Sequence, residues 1–197
     1  LAKFSNVLSK MLLNGKAIEG LQCDEHFVPS SDGGWQIRVR VYRPKQTGEK
    51  LPVMLYCHGG GYIMGNPEQS GMIIEEFIKT RPCVVVAPDY RKAYTKPYPA
   101  AFDDCYDTLL WVKTNADKLA LNADKIILAG HSAGGGLTAA LTLKARDTQD
   151  VNVAFQMPIY PMIDDTQPFD PERNMQSLVW DTAVLRTICS CYAGAGV

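Results

Sequence analysis

Short runs of apolar residues recur along the chain at intervals. Four of them, 52–57, 82–87, 126–129 and 151–160, show little or no polar alternation. Runs of this kind are typical of strands that are buried on both faces, as in parallel sheets. Because helical spacing of apolar residues separates these runs, the pattern predicts an α/β fold. In this fold, helices cover both faces of a mostly parallel, twisted sheet.

The stretches between the strands predict amphipathic helices. The helical apolar positions are Ile73, Ile74, Phe77 and Ile78, then Phe102, Cys105, Tyr106, Leu109 and Val112, and then Leu137, Ala140 and Leu141. The first helix should start at Asn66-Pro67-Glu68. This tripeptide provides a capping side chain, a proline at the first helical position and an acid in the first turn.

The two ends of the chain give weaker patterns. Residues 4–21 predict one or two short helices, and 25–29 predict a first strand. Residues 35–42 alternate apolar and polar side chains, which indicates a half-exposed, antiparallel strand at the edge of the sheet. Residues 164–176 are rich in Asp, Pro, Asn and Gln and predict a loop, whereas 177–192 predict a helix.

Composition narrows the class of protein. The chain has 197 residues, 46% of them hydrophobic and 21% charged, with a formal net charge of −1. The length fits one domain, and the charge favours neither nucleic acid nor a membrane surface as a partner. The sequence contains no apolar run of membrane-spanning length. The six cysteines and three histidines show no metal-site spacing, so we predict no metal, no cofactor, six free and mostly buried thiols, and a cytoplasmic location.

A candidate nucleophile follows the strand at 126–129. Gly130-His131-Ser132-Ala133-Gly134 is a G-x-S-x-G motif between a strand and a helix, where a sharp turn exposes the serine hydroxyl. A Cβ at Gly130 or Gly134 should clash with the neighbouring strand and helix. Ser132 is therefore predicted to be a nucleophile, and the alternative is a glycine-rich turn that serves only close packing.

A second glycine-rich stretch, His58-Gly59-Gly60-Gly61-Tyr62, follows the strand at 52–57. Both stretches fall at the carboxyl ends of strands, where such sheets bind ligands. A serine that attacks a carbonyl carbon creates an oxyanion, for which the backbone N–H groups of Gly59, Gly60 and Ala133 are candidate donors. His58 and Gly61 are expected to support the loop. The chain contains neither G-x-G-x-x-G nor G-x-x-x-x-G-K-[ST], which disfavours phosphate binding.

Four successive motifs resemble those of the hormone-sensitive-lipase-like branch of the α/β-hydrolases. They are His58–Tyr62, Asp89-Tyr90-Arg91 with Tyr98-Pro99-Ala100-Ala101, Gly130–Gly135, and Tyr160-Pro161-Met162-Ile163-Asp164. The resemblance implies a carboxylesterase or lipase that acts on small to medium acyl esters. It also implies cap helices at 1–20, an α/β-hydrolase core at 21–164 and the start of a second cap segment at 165–197.

The sequence departs from that family in three places. His131 stands where the family usually has Asp, and Lys92–Lys96 replaces the usual Leu-Ala-Pro-Glu-His; both changes are expected to tune activity. The third departure concerns the triad order, which is Ser, then Asp or Glu, then His in this fold. No histidine follows Ser132. The resemblance therefore implies that the triad acid and base lie outside this sequence, with Asp164, Asp165, Asp170 and Asp181 as loop and cap residues.

The resemblance also implies two further strands after the one at 151–160. We therefore expect an incomplete copy of the domain, in which the apolar strand at 151–160 is an exposed edge. A second copy of the chain or a companion segment is expected to cover this edge. Three explanations are open for the rest of the domain: it is absent from the sequence as given, a second polypeptide supplies it, or the gene product is truncated. We favour the first explanation.

Three hypotheses about function follow. The leading one is a serine esterase that forms an acyl-enzyme on Ser132. The second is a non-catalytic ligand-binding member of the same family, since the plant gibberellin receptor has lost its histidine; the third is an inactive fragment. Two roles are open for the apolar cap residues: they line an acyl pocket, or they only pack the cap on the core. These residues are Phe4, Leu8, Met11, Leu178 and Trp180.

Overall fold

The computed structural model of the protein describes residues 2–45, 49–164 and 182–194. Its strands are β1 (Leu21–Pro29), β2 (Gln36–Pro44), β3 (Leu51–Cys57), β4 (Val84–Pro88), β5 (Leu121–His131) and β6 (Val153–Ile159). Its helices are α1 (Ala2–Leu13), α2 (Gly71–Thr80), α3 (Ala100–Thr114), α4 (Ala133–Thr148) and α5 (Thr182–Ala193), with a 3-10 turn at Pro67–Ser70 before α2.

The six strands form one sheet in the order β1-β2-β4-β3-β5-β6. β4, β3, β5 and β6 run parallel to one another, and β2 is antiparallel to both of its neighbours. The predicted mostly parallel sheet is confirmed. At the predicted helix start, Asn66 caps the 3-10 turn that leads into α2: its side-chain oxygen accepts a hydrogen bond from the N–H of Gln69.

Helices cover both faces of the sheet, as predicted. α3 and α4 pack on one face together with Ile126 and Leu128 of β5. On the other face, α2 packs against a second apolar cluster that includes Ala129, with Ile127 partly buried beside it. Consecutive residues of β5 thus point into two different cores, which explains why this strand has no polar alternation.

The prediction for β2 was wrong in two respects. β1 lies outside it, so β2 is not an edge strand, and its Arg38 and Arg40 side chains are only 13% and 5% exposed. The Arg38 guanidinium pairs with Glu25 at 2.6 Å and with Glu68 of the 3-10 turn. The polar face of β2 is therefore buried against charged partners. An alternating pattern cannot distinguish such a face from one that contacts water.

The helix predicted near the N-terminus forms, and it packs on the rest of the chain through its polar side. α1 contacts the rest of the chain through polar residues: the Asn6 side chain bonds Ile63 O, Tyr94 Oη and Gly65 N, and Ser9 Oγ accepts from Asn66. Apolar residues on the other side of α1 are exposed, for example Phe4 at 72% and Met11 at 79%. The interpretation that they pack a cap on the core is thus wrong for α1. Leu178 and Trp180 lie outside the described residues.

The far edge of the sheet is formed by β6, which pairs with β5 and with no other strand in the described ranges. Phe155 is 60% exposed there. Coverage of this edge by a second copy or a companion segment stays a prediction, as does the division into cap and core. Of the predicted 164–176 loop and 177–192 helix, the structure describes only Asp164 and the part of the helix in α5. None of the six cysteines, all of which lie in the described ranges, forms a disulfide, and four of them are buried.

Candidate active site

Ser132 occupies a strained turn between β5 and α4. Its φ of 56° and ψ of −120° are unfavourable for a residue with a side chain, and strain of this kind is held by surrounding contacts. The Ser132 N–H donates to Ile159 O at 3.0 Å, and the Ser132 carbonyl accepts from Met162 N at 3.0 Å and Gly136 N at 3.1 Å. Two of these hydrogen bonds join the backbone of the candidate nucleophile to the end of β6 and to the segment after it, and the third joins it to α4.

The glycines on either side of Ser132 permit close approach of three backbone segments. A Cβ at Gly130 would lie 2.6 Å from the carbonyl oxygen of Cys57, and a Cβ at Gly134 would lie 2.0 Å from the same atom. Real Cβ atoms essentially never make contacts this short. The steric argument made from the sequence therefore applies at both positions.

The glycine loop follows β3 and turns sharply. Gly60 has a φ of 119° and Gly61 a φ of 57°, both in the region that favours glycine. A Cβ at Gly60 would lie 2.0 Å from Met64 O. The Gly60 carbonyl accepts from the N–H groups of Ile63 and Met64, which closes the loop onto itself. Since Cys57 pairs with Gly130 in the sheet, the loop and the elbow leave neighbouring strands at the same level.

His58 is buried beneath the loop and makes contacts that support an anchoring role. Its Nδ1 lies 2.6 Å from Gly59 O, its ring stacks on that of Tyr90 at 4.2 Å, and its carbonyl accepts from the Tyr90 hydroxyl at 2.8 Å. Its Nε2 lies 3.1 Å from Nζ of Lys92. Burial, and secondly the charge of Lys92, hold the pKa of His58 well below its ordinary value, so this imidazole is neutral.

His131 directs its ring to the loop and to β3. Its Nδ1 lies 2.8 Å from the Tyr56 hydroxyl, and the Gly59 N–H donates to its Nε2 at 3.3 Å. Burial lowers the pKa of His131, which favours the neutral ring that this acceptor role requires. Both ring nitrogens are thus engaged away from Ser132. His131 is therefore poorly placed to take the serine proton.

The candidate oxyanion donors differ in their availability. The Gly59 N–H is already donated to His131, so its oxyanion role, which stays a prediction, would require that bond to break. In contrast, no residue of the described ranges accepts from the Gly60 N–H. Ala133 is the first residue of α4, and the first N–H groups of a helix have no intrahelical acceptor.

A cluster of charged residues lies under the glycine loop, and the sequence analysis did not find it. Lys92 is buried and pairs with Asp89 at 3.0 Å, and Asp89 also contacts Lys10 of α1 at 3.3 Å. The sequence showed Lys92 only as a departure from the family motif. The signal that could have found the pair is the i, i+3 spacing of Asp89 and Lys92 in a stretch between two buried elements.

A second buried ion pair holds the segment that carries Lys92. The Arg91 guanidinium donates to the Asp104 carboxylate of α3 through Nε and through Nη2, the latter at 2.7 Å. The backbone N–H of Arg91 donates to the same carboxylate at 2.8 Å. The Asp104 side chain is fully buried. Asp89-Tyr90-Arg91 therefore fixes the position of the loop rather than contributing a reacting group.

An open cleft of about 330 Å³ lies beside the glycine loop. Its lining includes Tyr62 of the loop, Met162 and Ile163 after β6, and Tyr192 of α5. The Tyr62 ring stacks on that of Tyr192 at 3.8 Å, and its hydroxyl donates to Met162 O. Apart from Asp164, the lining is aromatic and apolar, and most of the cleft therefore suits an uncharged organic group.

The described part of the chain lacks a metal site, a membrane-spanning helix and a side-chain partner for the Ser132 hydroxyl. No group of three or more His, Cys, Asp or Glu side chains there could hold a metal ion. None of the described helices is long and apolar enough to cross a membrane. Among the same residues, no side chain forms a hydrogen bond with the Ser132 hydroxyl.

A parallel sheet with a strained serine elbow and an adjacent glycine loop defines the α/β-hydrolase class. A family model described as alpha/beta hydrolase fold matches residues 54–196, which is more than half of the chain. The chain therefore belongs to the α/β-hydrolase family, as the motifs indicated.

The chain is similar to proteins that are named as esterases. The chain is 38% identical to the carboxylesterase NlhH of Mycobacterium tuberculosis over 130 residues, which are 66% of this chain and 41% of that protein. It is 35% identical to an arylesterase of Saccharolobus solfataricus over 130 residues, covering 66% and 42%. A solved esterase from Pyrobaculum calidifontis superposes with a TM-score of 0.71 at 38% identity, covering 85% of this chain and 51% of that one. The chain thus spans well under two thirds of these relatives' length.

Proposed function

We propose that the full-length protein hydrolyses carboxylic esters through an acyl-enzyme on Ser132. The observation that carries the proposal is the strained Ser132 elbow, held at the same sheet edge as a glycine loop whose Gly60 N–H has no acceptor in the described ranges. Membership of the α/β-hydrolase family and the similarity to a carboxylesterase and an arylesterase support this reaction class.

In the proposed reaction, Ser132 Oγ attacks the ester carbonyl carbon while its proton passes to a general base. The carbonyl π electrons move to the oxygen, and that oxyanion accepts hydrogen bonds from the N–H groups of Gly60 and Ala133. Collapse of the tetrahedral intermediate expels the alcohol, which takes the proton, and water then hydrolyses the acyl-enzyme in the same way. No histidine follows Ser132 in the sequence, so the base and its acid are proposed to come from residues outside it.

The cleft beside Tyr62 supports small to medium substrates. Its volume of about 330 Å³ lies near the lower end of the range for small-molecule sites. The aromatic rings of Tyr62 and Tyr192 and the apolar chains of Met162 and Ile163 would contact the acyl or alcohol group. We therefore propose short- to medium-chain acyl esters as the substrate class.

The test compares the full-length protein with its Ser132→Ala variant on nitrophenyl acetate and butyrate. The variant should lose at least about a thousandfold in kcat, because removing a triad nucleophile costs up to about 10⁶-fold. Ser5→Ala, an exposed serine of α1, is the control and should keep full activity. A fluorophosphonate should label Ser132 in the wild type only. Equal hydrolysis by wild type and Ser132→Ala would refute the assignment.

The same experiment separates the ligand-binding alternative. A receptor-like protein would bind an ester or a related ligand in a calorimeter, with no turnover and no fluorophosphonate labelling. An inactive protein would show neither binding nor turnover.

A further inference from the structure

The buried ammonium of Lys92 has as many acceptors as it has hydrogens. Its Nζ lies 3.0 Å from Asp89 Oδ1, 2.5 Å from Tyr90 O and 3.1 Å from His58 Nε2. An ammonium carries three donors and no acceptor, so His58 Nε2 must accept from Lys92. Burial lowers the pKa of both Lys92 and His58, and Asp89 opposes this effect on the lysine. The proton between them stays on Lys92 because the ordinary pKa of lysine exceeds that of histidine by about 4 units and because the Asp89 carboxylate, 3.0 Å away, favours the ammonium.

The acceptor role of Nε2 fixes the tautomer of His58. A neutral imidazole with an unprotonated Nε2 carries its proton on Nδ1, and this N–H donates to the Gly59 carbonyl at 2.6 Å. A carbonyl oxygen only accepts, so the two contacts of the ring agree on the same tautomer. The direction of each hydrogen bond from Asp89 through Lys92 and His58 to Gly59 is thereby determined.

The Gly59 carbonyl and the Gly60 N–H belong to one peptide unit. Because this unit is planar and trans, its C=O and N–H point in opposite directions, and a bond that fixes one fixes the other. The preceding peptide is held as well: His58 O accepts from the Tyr90 hydroxyl at 2.8 Å, and the Gly59 N–H donates to His131 Nε2. Two successive peptides of the glycine loop are thus clamped, and the Gly60 N–H is left without an acceptor in the described ranges.

We propose that Lys92 is a positioning residue of the oxyanion loop: it holds His58 in the Nδ1–H tautomer and thereby aims the Gly60 N–H at the developing oxyanion. Lys92 occupies a position where the family motif usually has leucine, and a leucine has no proton to give to His58. The role of the Gly60 N–H rests on the proposed esterase function, whereas the control of the His58 tautomer by Lys92 does not.

The first measurement is the ¹⁵N spectrum of histidine-labelled full-length protein at neutral pH, with the His58 signals assigned by their loss in His58→Asn. The wild type should show a protonated Nδ1 and an unprotonated Nε2. In Lys92→Met, the Nε2 position should become protonated in a substantial fraction of molecules. A wild type with the proton on Nε2, or a Lys92→Met spectrum identical to that of the wild type, would overturn the proposal; the wild-type result does not require Lys92→Met to fold.

The second measurement is steady-state kinetics on the same proteins. Because Lys92→Met would misdirect the Gly60 donor and leave the cleft intact, we expect kcat to fall about 10- to 100-fold and KM to change less than about threefold. The matched control is Lys96→Met, on the same loop, whose half-exposed side chain pairs with Asp32 instead. It should leave the tautomer and kcat unchanged, and thermal unfolding should show that both variants are folded.

The two measurements fail in different ways. Absence of ester hydrolysis in the wild type, with the predicted tautomer and its loss in Lys92→Met, would refute the proposed function and leave the link between Lys92 and His58 standing. Active wild-type protein with an unchanged kcat in folded Lys92→Met would refute the positioning role.

Discussion

The glycine loop follows β3 and the Ser132 elbow follows the neighbouring strand β5. Within the described residues, the polar side chains under the loop are fully hydrogen-bonded, whereas the serine hydroxyl at the elbow is not. Under the loop, both ring nitrogens of His58 and all three hydrogens of Lys92 have partners. At the elbow, the Ser132 backbone is fixed by three hydrogen bonds, whereas its hydroxyl has no side-chain partner among the described residues.

This difference separates two requirements of ester hydrolysis. Stabilising an oxyanion needs donors that are already oriented, since reorienting them during the reaction would cost energy. Activating a serine needs a base within hydrogen-bond reach of its hydroxyl. In the described part of the chain, the peptides of the glycine loop that we propose as oxyanion donors are held by hydrogen bonds, whereas no base reaches the Ser132 hydroxyl. The following predictions test that contrast in order of decreasing effect.

Breaking the ion pair that holds the loop segment should have the largest effect on stability. Asp104→Ala would leave the buried Arg91 guanidinium without its main carboxylate. We expect the unfolding free energy to fall by about 3–5 kcal/mol, as when one partner of a buried pair is removed. Chemical denaturation measures this loss. The matched control is Asp107→Ala on the same helix; among the described residues, its partially exposed carboxylate accepts only the Ser31 N–H, so this variant should lose about 0.5–1.5 kcal/mol. Equal losses would contradict the structural role of Asp104.

A substitution that pushes the Ser132 elbow away from the glycine loop should have the second-largest effect. In Gly134→Ala, the new Cβ would meet Cys57 O at 2.0 Å and His58 O at 2.5 Å, so β3 and α4 must separate. We expect a loss of about 1–3 kcal/mol in stability and, in an active full-length protein, about a hundredfold in kcat. Gly71→Ala is the control because its Cβ would meet only Ile18, at 3.8 Å. Wild-type stability and kcat in Gly134→Ala would show that the close approach is not required.

Removing one hydroxyl should loosen the loop without moving the elbow. Tyr56→Phe deletes the partner of His131 Nδ1 in a fully buried position. The unfolding free energy should fall by about 0.5–1.5 kcal/mol, seen as a lower denaturant midpoint at an unchanged slope. Tyr98→Phe, in an exposed ring, should not change the midpoint. A midpoint shift of the same size in both variants would argue against the Tyr56–His131 bond.

The smallest effect should be a dependence of stability on pH. Folding lowers the pKa of His131 through burial, and that of His58 through burial and the nearby Lys92. Below an ordinary histidine pKa near 6.5, the unfolded chain therefore binds more protons than the folded one. Their contribution is fully present above that pH and is lost as the pH falls. The unfolding free energy should decrease between pH 7.5 and 5.5, with a shallower slope in His131→Gln. An unfolding free energy that rises toward pH 5.5 would contradict the conclusion that His58 and His131 are neutral in the folded protein.

Much of the architecture could be predicted from local patterns. The unalternating apolar run of β5 predicted a strand buried on both faces, because each face of a central strand contacts a separate core. The G-x-S-x-G spacing predicted the elbow for a similar reason. Close approach of β3 to α4 excludes any side chain at Gly130 and Gly134, and that constraint is visible in the residue types themselves.

The orientation of polar faces could not be predicted in the same way. Alternation in β2 indicated exposure, yet Arg38 and Arg40 are buried against carboxylates from other parts of the chain. One of the two roles open for the apolar residues of α1 was to pack a cap on the core, yet Asn6 and Ser9 make the contacts. A pattern reports which side chains differ in polarity, and it does not report whether a polar one meets water or a partner.

The sequence by itself determined the class of protein and the residues at the two glycine turns, because steric exclusion and strand–turn–helix order are local properties. Only the tertiary structure decided which partners the three basic residues around the glycine loop contact; these residues are His58, Lys92 and His131. Lys92 meets His58 from 34 positions away, and Gly59 meets His131 from 72 positions away. The proton positions on both imidazoles depend on these long-range contacts, since a histidine ring takes the tautomer that its neighbours require.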